Sequence, residues 1–172
     1  MHCDMIKKEM KDFYTPIGGF FMYFIDRNKI TETIQYMNSL LKYYESQEQW
    51  TSFGDQLALE RIGANIIESI IDVGNSMIDG FIMRDPGSYD DIIDILVDEK
   101  VITEEMDQPL KQVIALRKML VREFMKVDQQ AIINAIDENL ESLKAFGPKV
   151  EHYLVHELGP VSAFIPETKD DN

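Results

Sequence analysis

Residues 103–127 read TEEMDQPLKQVIALRKMLVREFMKV, a stretch with the apolar period of a helix. Wound as an α-helix at about 100° per residue, the stretch puts Val113, Leu116, Leu120, Val121 and Phe124 on one broad apolar face. Lys111, Lys118, Arg122 and Lys126 fall on the opposite side. Arg117 breaks the pattern, because it lies within the apolar face beside Val113, Val121 and Phe124. A guanidinium keeps its charge in a protein, and burying it unpaired costs several kcal/mol. It must meet a carboxylate, a cluster of carbonyls, a wet cleft or a ligand. Two readings follow: a structural salt bridge or rim-snorkelling arginine, or a functional arginine in a cleft.

The 172-residue chain suits one well-cored domain and is short for two. Its net charge of −14 argues against the general basic surface of a non-specific nucleic-acid binder. It leaves room for a local basic site, and Gln108–Val127 supplies one: Lys111, Arg117, Lys118, Arg122 and Lys126 against the single acid Glu123. A solvated charged face is the plainer reading of the same residues. Cys3 is the only cysteine, which rules out an intrachain disulfide and a cysteine-based zinc site, and fits a reducing cytoplasm. The longest apolar run, Ile17–Ile25, contains two glycines and is too short to span a bilayer. No small-residue cleavage site follows it, so the expectation is a cytoplasmic protein without a membrane segment.

Residues 1–21 lack a clear period and read as an N-terminal extension; Met22 is itself a candidate translation start. Asp26 then caps a helix carrying Ile30, Ile34, Met37, Leu40, Leu41 and Tyr44. After the interruption SQEQWTSFGD, a long helix from about Asp55 to Ile78 carries Leu59, Ile62, Ile66, Ile67, Ile70, Val73, Met77 and Ile78 on one side. Its other side holds Arg61, Asn65, Glu68, Asp72, Asn75 and Asp79. Glu60 sits at the edge of the apolar side and is the first candidate partner for Arg117, with Glu68 the second. Pro86-Gly87 marks a turn, and Ser88 and Asp91 have the spacing of a reciprocal capping box. The helix that follows buries Ile92, Ile93, Leu96 and Ile95. Thr103 is expected to cap the central helix, with a kink or late start at Pro109. Asp128 caps a last helix, Gly147-Pro148 is expected to break or bend it, and Val150–Leu158 reads as one more helical piece. Residues 159–172 read as a mobile C-terminal tail. No strand period of useful length occurs. The expected architecture is all-α, an up-and-down bundle of four or five main helices.

Glu68, Asp72 and Asp79 line one side of the second long helix and could attract a divalent cation, but the Glu-x-x-His pairs of ferritin-like metal bundles are missing. His152 and His156, one turn apart, give two ligands where zinc normally takes three or four. The expectation is no metal and no cofactor. There is no Gly-rich phosphate loop, no G-x-S-x-G elbow and no cysteine nucleophile partnered by histidine.

Ala58-Leu59-Glu60-Arg61, Ile67-Glu68, Asp72-Val73, Asn75, Pro86-Gly87-Ser88-Tyr89, Val101-Ile102 and Leu116-Arg117 occur in an order that resembles the HepT-like branch of the HEPN superfamily. The resemblance runs from about Tyr23 to Leu158, so a HepT-like domain over 22–158 is expected. It implies a dimerising helical bundle in which the arginine and histidine of an R-x4-H-x-Y motif line a cleft where RNA is cut without metal. It also implies a toxin encoded beside a minimal nucleotidyltransferase antitoxin. Here Arg117 matches the motif arginine, Lys118 replaces the usual polar residue after it, Arg122 stands in place of the histidine, and Phe124 replaces the tyrosine.

An arginine, with a pKa above about 12, cannot act as a base near neutral pH, whereas it can stabilise charge on a phosphorane-like transition state. Phe124 also lacks the hydroxyl that antitoxins of this family modify. Full activity would need His152 or His156 to swing in, or Glu123 to act as base. The expected function is therefore a HepT-like ribonuclease-toxin relative, a homodimer with Arg117 and Arg122 near the dimer cleft. Lys118, Lys111 and Lys126 would contact RNA, with cleavage reduced or lost. The alternative is a non-catalytic dimer that keeps the fold as an interaction or scaffold module. A carboxylate metal bundle on Glu68 and Asp72 is the weakest of the three.

Overall fold

The computed structural model describes residues 25–158. The expected extension at 1–21 and tail at 159–172 lie outside the described residues. Within them the elements are all helical: α1 Arg27–Glu45, α2 Phe53–Gly80, α3 Tyr89–Asp98, a 3-10 turn Glu104–Met106, α4 Asp107–Ala115, α5 Arg117–Arg122, α6 Gln129–Glu138 and α7 Leu140–Leu158.

The 28-residue α2 is the axis of the bundle, and α1, α3, α5 and α6 pack against it. Its periodic set from Leu59 to Ile78 is buried as the pattern requires, and so are Ile30, Ile34, Met37, Leu41 and Tyr44 of α1. Asp26 accepts from Lys29 N at the start of α1, and Ser52 and Asp55 form a reciprocal capping box that starts α2 two residues earlier than the apolar period alone suggests. α3 buries Ile92, Ile93, Ile95 and Leu96. Both α2 and α3 end with a residue in the left-handed region, Ile82 at φ 50° and Lys100 at φ 61°. Met83 N reaches Ile78 O at 3.0 Å and Val101 N reaches Leu96 O at 2.8 Å, the six-to-one bond that closes such an end.

Several expectations need correction. The central stretch is two helices, not one. Leu116 interrupts it with a tight turn, its N–H bonding Val113 O at 3.2 Å, and α5 stops at Arg122. Val113 is buried and Leu116 and Leu120 are half-buried, but Val121 and Phe124 are exposed. The chain must turn back before Asp128, which accepts from Ala131 N and starts α6, so that Ile132 and Ile136 can enter the core. Thr103 makes no side-chain cap; it precedes the 3-10 turn, and α4 starts late, with Pro109 in its first turn. Gly147-Pro148 does not break α7, which runs continuously through it. Pro148 is exposed, so the carbonyl it leaves unpaired can face water. Gly147 gives α1 room to approach, since a Cβ there would lie 2.5 Å from Ile34 Cγ2. The interruption comes at Asn139, a buried residue whose Nδ2 donates to Ala135 O at 2.8 Å and so competes with the backbone ladder.

Candidate functional site

The loop before α3 builds the first wall of the site. Arg84 grips Asp91 with two hydrogen bonds, 2.8 and 2.6 Å, and Gly87 N donates to the same carboxylate at 2.7 Å. Ser88 Oγ accepts from Asp91 N at 3.2 Å. The expected capping box is therefore only half formed: Asp91 reaches past Ser88 to Gly87 and Arg84. The Arg84 bond and then the Gly87 N–H hold the Asp91 carboxyl at about 2, below its ordinary 3.8. This network fixes the first turn of α3 and leaves Tyr89, 45% exposed, at its first position.

α5 supplies the second wall. The Arg117 side chain is 29% exposed, and its Nε donates to Glu68 Oε1 at 2.7 Å. Its guanidinium carbon lies 4.5 Å from the centre of the Tyr89 ring, within cation–π range. Arg117 is therefore held between a carboxylate of α2 and an aromatic ring of α3. It is neither stranded in the core nor free in solvent. Beyond it a pocket of about 290 Å³ is lined by Ser88, Tyr89, Asp90, Ile114, Ala115, Arg117, Lys118 and Arg122. Three cationic side chains line it with one carboxylate, Asp90, at the start of a helix whose first N–H groups favour negative charge.

Of the two candidate partners for Arg117, Glu68 is the one used. Glu60 instead accepts from Gln129 Nε2 at 2.5 Å. The crossing of the helices explains this. A Cβ on Gly63 would meet Leu120 at 3.5 Å, so Arg117, one turn before Leu120 on an antiparallel helix, lies beyond Gly63 toward Glu68. Of the other sequence candidates, Arg122 and Lys118 line the pocket with Arg117, and the rest scatter. Lys118 is exposed and 3.6 Å from Glu123. Lys111 points away, bridging Asp94 at 2.5 Å and Asp107 at 2.7 Å, and lines no part of the pocket. Lys126 is exposed in the turn after α5 and does not line the pocket either, and Phe124 is 63% exposed. His152 and His156 stack on one another at 3.8 Å on α7. Glu68 is occupied by Arg117, and among the described residues no group of three acids, histidines or cysteines could hold a metal ion. Sequence reasoning missed Tyr89 and Asp90 as site residues. The available signal was an aromatic directly after the N-cap Ser88, a place where a ring has no core to enter.

Residues 25–150 match the family model for ribonuclease HepT-like proteins. The chain belongs to the HepT-like family. It is 51% identical over 143 residues to the RNase candidate YutE of Bacillus subtilis (strain 168), covering 83% of this chain and 99% of that one. The solved structure of that B. subtilis protein, described there as cytosolic and of unknown function, superposes with a TM-score of 0.80 over 83% of this chain and all of YutE. More distant HepT-like folds include a toxin–antitoxin complex with AMP-PNP, 17% identical with a TM-score of 0.62, covering 72% of this chain and 96% of that one. A tri-AMPylated Shewanella oneidensis HEPN toxin bound to its MNT antitoxin is 19% identical with a TM-score of 0.61, covering 72% and 95%. At that identity the likeness concerns the fold. No described helix of this HepT-like chain is long and apolar enough to cross a membrane.

Proposed function

We propose that this HepT-like protein contacts RNA phosphates with Arg117, Lys118 and Arg122, and that its metal-independent cleavage is reduced or lost. The observation that carries this reading is the pocket between α3 and α5, where those three cations line a concave surface that, among the described residues, includes no histidine. Metal-free cleavage needs a group to take the proton of the 2′-hydroxyl and another to protonate the leaving oxygen, help worth roughly 10²–10⁴-fold. Arg117 and Arg122 supply fixed positive charge for a phosphorane-like state and no proton acceptor. The protein acts as a cytoplasmic homodimer with the two pockets near a shared cleft, on the toxin side of a pair with a nucleotidyltransferase antitoxin. Phe124 gives such an antitoxin no hydroxyl at the motif position.

A scaffold reading is favoured by one specific feature, the apolar surface at the end of α5: Val121 is 49% exposed, Phe124 63% and Met125 84%. Such side chains suit a protein interface. One experiment separates the readings. RNA binding and cleavage in EDTA are measured for wild type, Arg117→Ala, Arg122→His and Arg122→His with Phe124→Tyr. The RNA reading expects salt-dependent binding weakened by Arg117→Ala, weak or absent cleavage by wild type, and a gain of roughly 10²-fold or more on restoring histidine. A stable dimer with no RNA affinity in any variant refutes it and leaves the scaffold.

A further inference from the structure

A second concavity, about 490 Å³, lies under the loop joining α1 to α2 and shares no lining residue with the Arg117 pocket. Its chemistry is the opposite. Trp50 folds back over Tyr44, the two rings stacked with centroids 5.7 Å apart and planes 20° apart, and Tyr43 meets Trp50 edge-on at 6.4 Å. Ile133 and Leu140 add apolar lining, and Glu45, Glu48 and Asp137 bring carboxylates. Tyr44 Oη donates to Asp137 Oδ1 at 2.8 Å, which fixes that carboxylate against the aromatic wall. Burial first, and then this bond, push the Tyr44 phenol upward, so it stays a neutral donor.

Among the described residues no lysine, arginine or histidine lines this cavity. Lys144 is engaged by Glu45 at 2.5 Å, whereas Glu48 and Asp137 have no ion-pair partner among the described residues. The half-buried Trp50 ring, stacked on the buried Tyr44, and these two carboxylates repel an anion and attract a cation. A hard metal ion gains little from aromatic walls and wants more oxygen ligands than are free here. An organic cation uses both surfaces, its charge on the carboxylates and its methylenes on the rings. We propose that the cavity walled by Trp50, Tyr44 and Asp137 is a binding site for an alkylammonium group, the chemistry shared by a lysine side chain and a polyamine.

Trp50 is the only tryptophan of the chain, so its fluorescence reports on this cavity alone. The full-length protein is titrated with n-butylammonium, spermidine and Nα-acetyl-lysine amide, and with n-butanol as the neutral control. The expected result is a saturable emission change with the ammonium probes and none with n-butanol, weakened roughly three- to ten-fold in Glu48→Gln and in Asp137→Asn. Asp137→Asn keeps an oxygen for the Tyr44 hydroxyl, so the fold survives the loss of charge. Calorimetry on Trp50→Leu should show the same weakening without relying on fluorescence. Spermidine binding well above butylammonium identifies a polyamine site; acetyl-lysine amide binding as well as spermidine identifies a protein lysine. Absence of saturation below about 50 mM, equal binding by Asp137→Asn, or a Trp50 shielded from acrylamide by a second copy each overturns the proposal. Arg117→Ala leaves the titration unchanged, which keeps this result independent of the RNA reading.

Discussion

Replacing Arg117 with methionine tests the geometry at the centre of the site. The substitution keeps most of the aliphatic stem and removes the 2.7 Å bond to Glu68 and the cation–π contact with Tyr89. Had the pair been fully buried, the stranded carboxylate would cost about 3–5 kcal/mol. It is not: Arg117 is 29% and Glu68 43% exposed, so water solvates the abandoned carboxylate. The expected ion-pair loss is then about 0.5–1 kcal/mol, and the aromatic contact adds about 0.5 kcal/mol. The sum, about 1–1.5 kcal/mol, corresponds to a Tm lowered by roughly 2–6 °C in a chain of this size. A double-mutant cycle with Glu68→Gln, followed by urea unfolding, should return a coupling near the ion-pair share. RNA binding should fall in Arg117→Met and hold in Glu68→Gln. A loss above about 3 kcal/mol would show a buried structural pair, and zero coupling would show that the two side chains do not meet in solution; either result refutes the reasoning.

Two further expectations concern the scaffold around the site. Asp91 has a carboxyl depressed to about 2 by Arg84 and Gly87, so its stabilising effect is complete above its ordinary value of 3.8 and is lost as pH falls toward 2. Urea midpoints of wild type and Asp91→Asn should therefore differ at pH 6 and converge near pH 2; a constant gap would contradict the assignment. A Cβ on Gly74 would run into Ile92 Cγ2 where α2 meets α3. Gly74→Val is expected to cost about 1–3 kcal/mol and to loosen the Tyr89 wall. Circular-dichroism melts that match wild type would show that the two helices can separate freely.

Much of the fold was legible because burial and helical period say the same thing along α1, α2, α3 and α6. Residues such as Leu59, Ile66, Ile70 and Met77 recur every three or four positions, and only a helix puts them on one face. The caps at Asp26 and Asp128 were legible for an equally local reason, a short side chain reaching an N–H three residues on. Periodicity failed where a helix lacks a partner. The apolar stripe of residues 103–127 continues in sequence through Phe124, but among the described residues Val121 and Phe124 are left exposed, and the helix ends at Arg122. It also failed at Gly147-Pro148, because whether a proline breaks a helix depends on what its freed carbonyl meets.

Sequence alone also identified Arg117 as the residue with a question attached, since a permanent charge within an apolar face needs an answer. Tertiary structure decided what the answer was. Choosing Glu68 over Glu60 depends on the crossing point of α5 on α2, and the pairing of Arg117 with Tyr89 joins residues 28 positions apart through the Arg84–Asp91 clamp. The same holds for the cavity at Trp50, whose aromatic and acidic walls come from two stretches of chain more than 80 positions apart, 44–51 and 133–140. Local propensity and burial period are encoded within a few residues. A site depends on distances between elements, which exist only once those elements have packed.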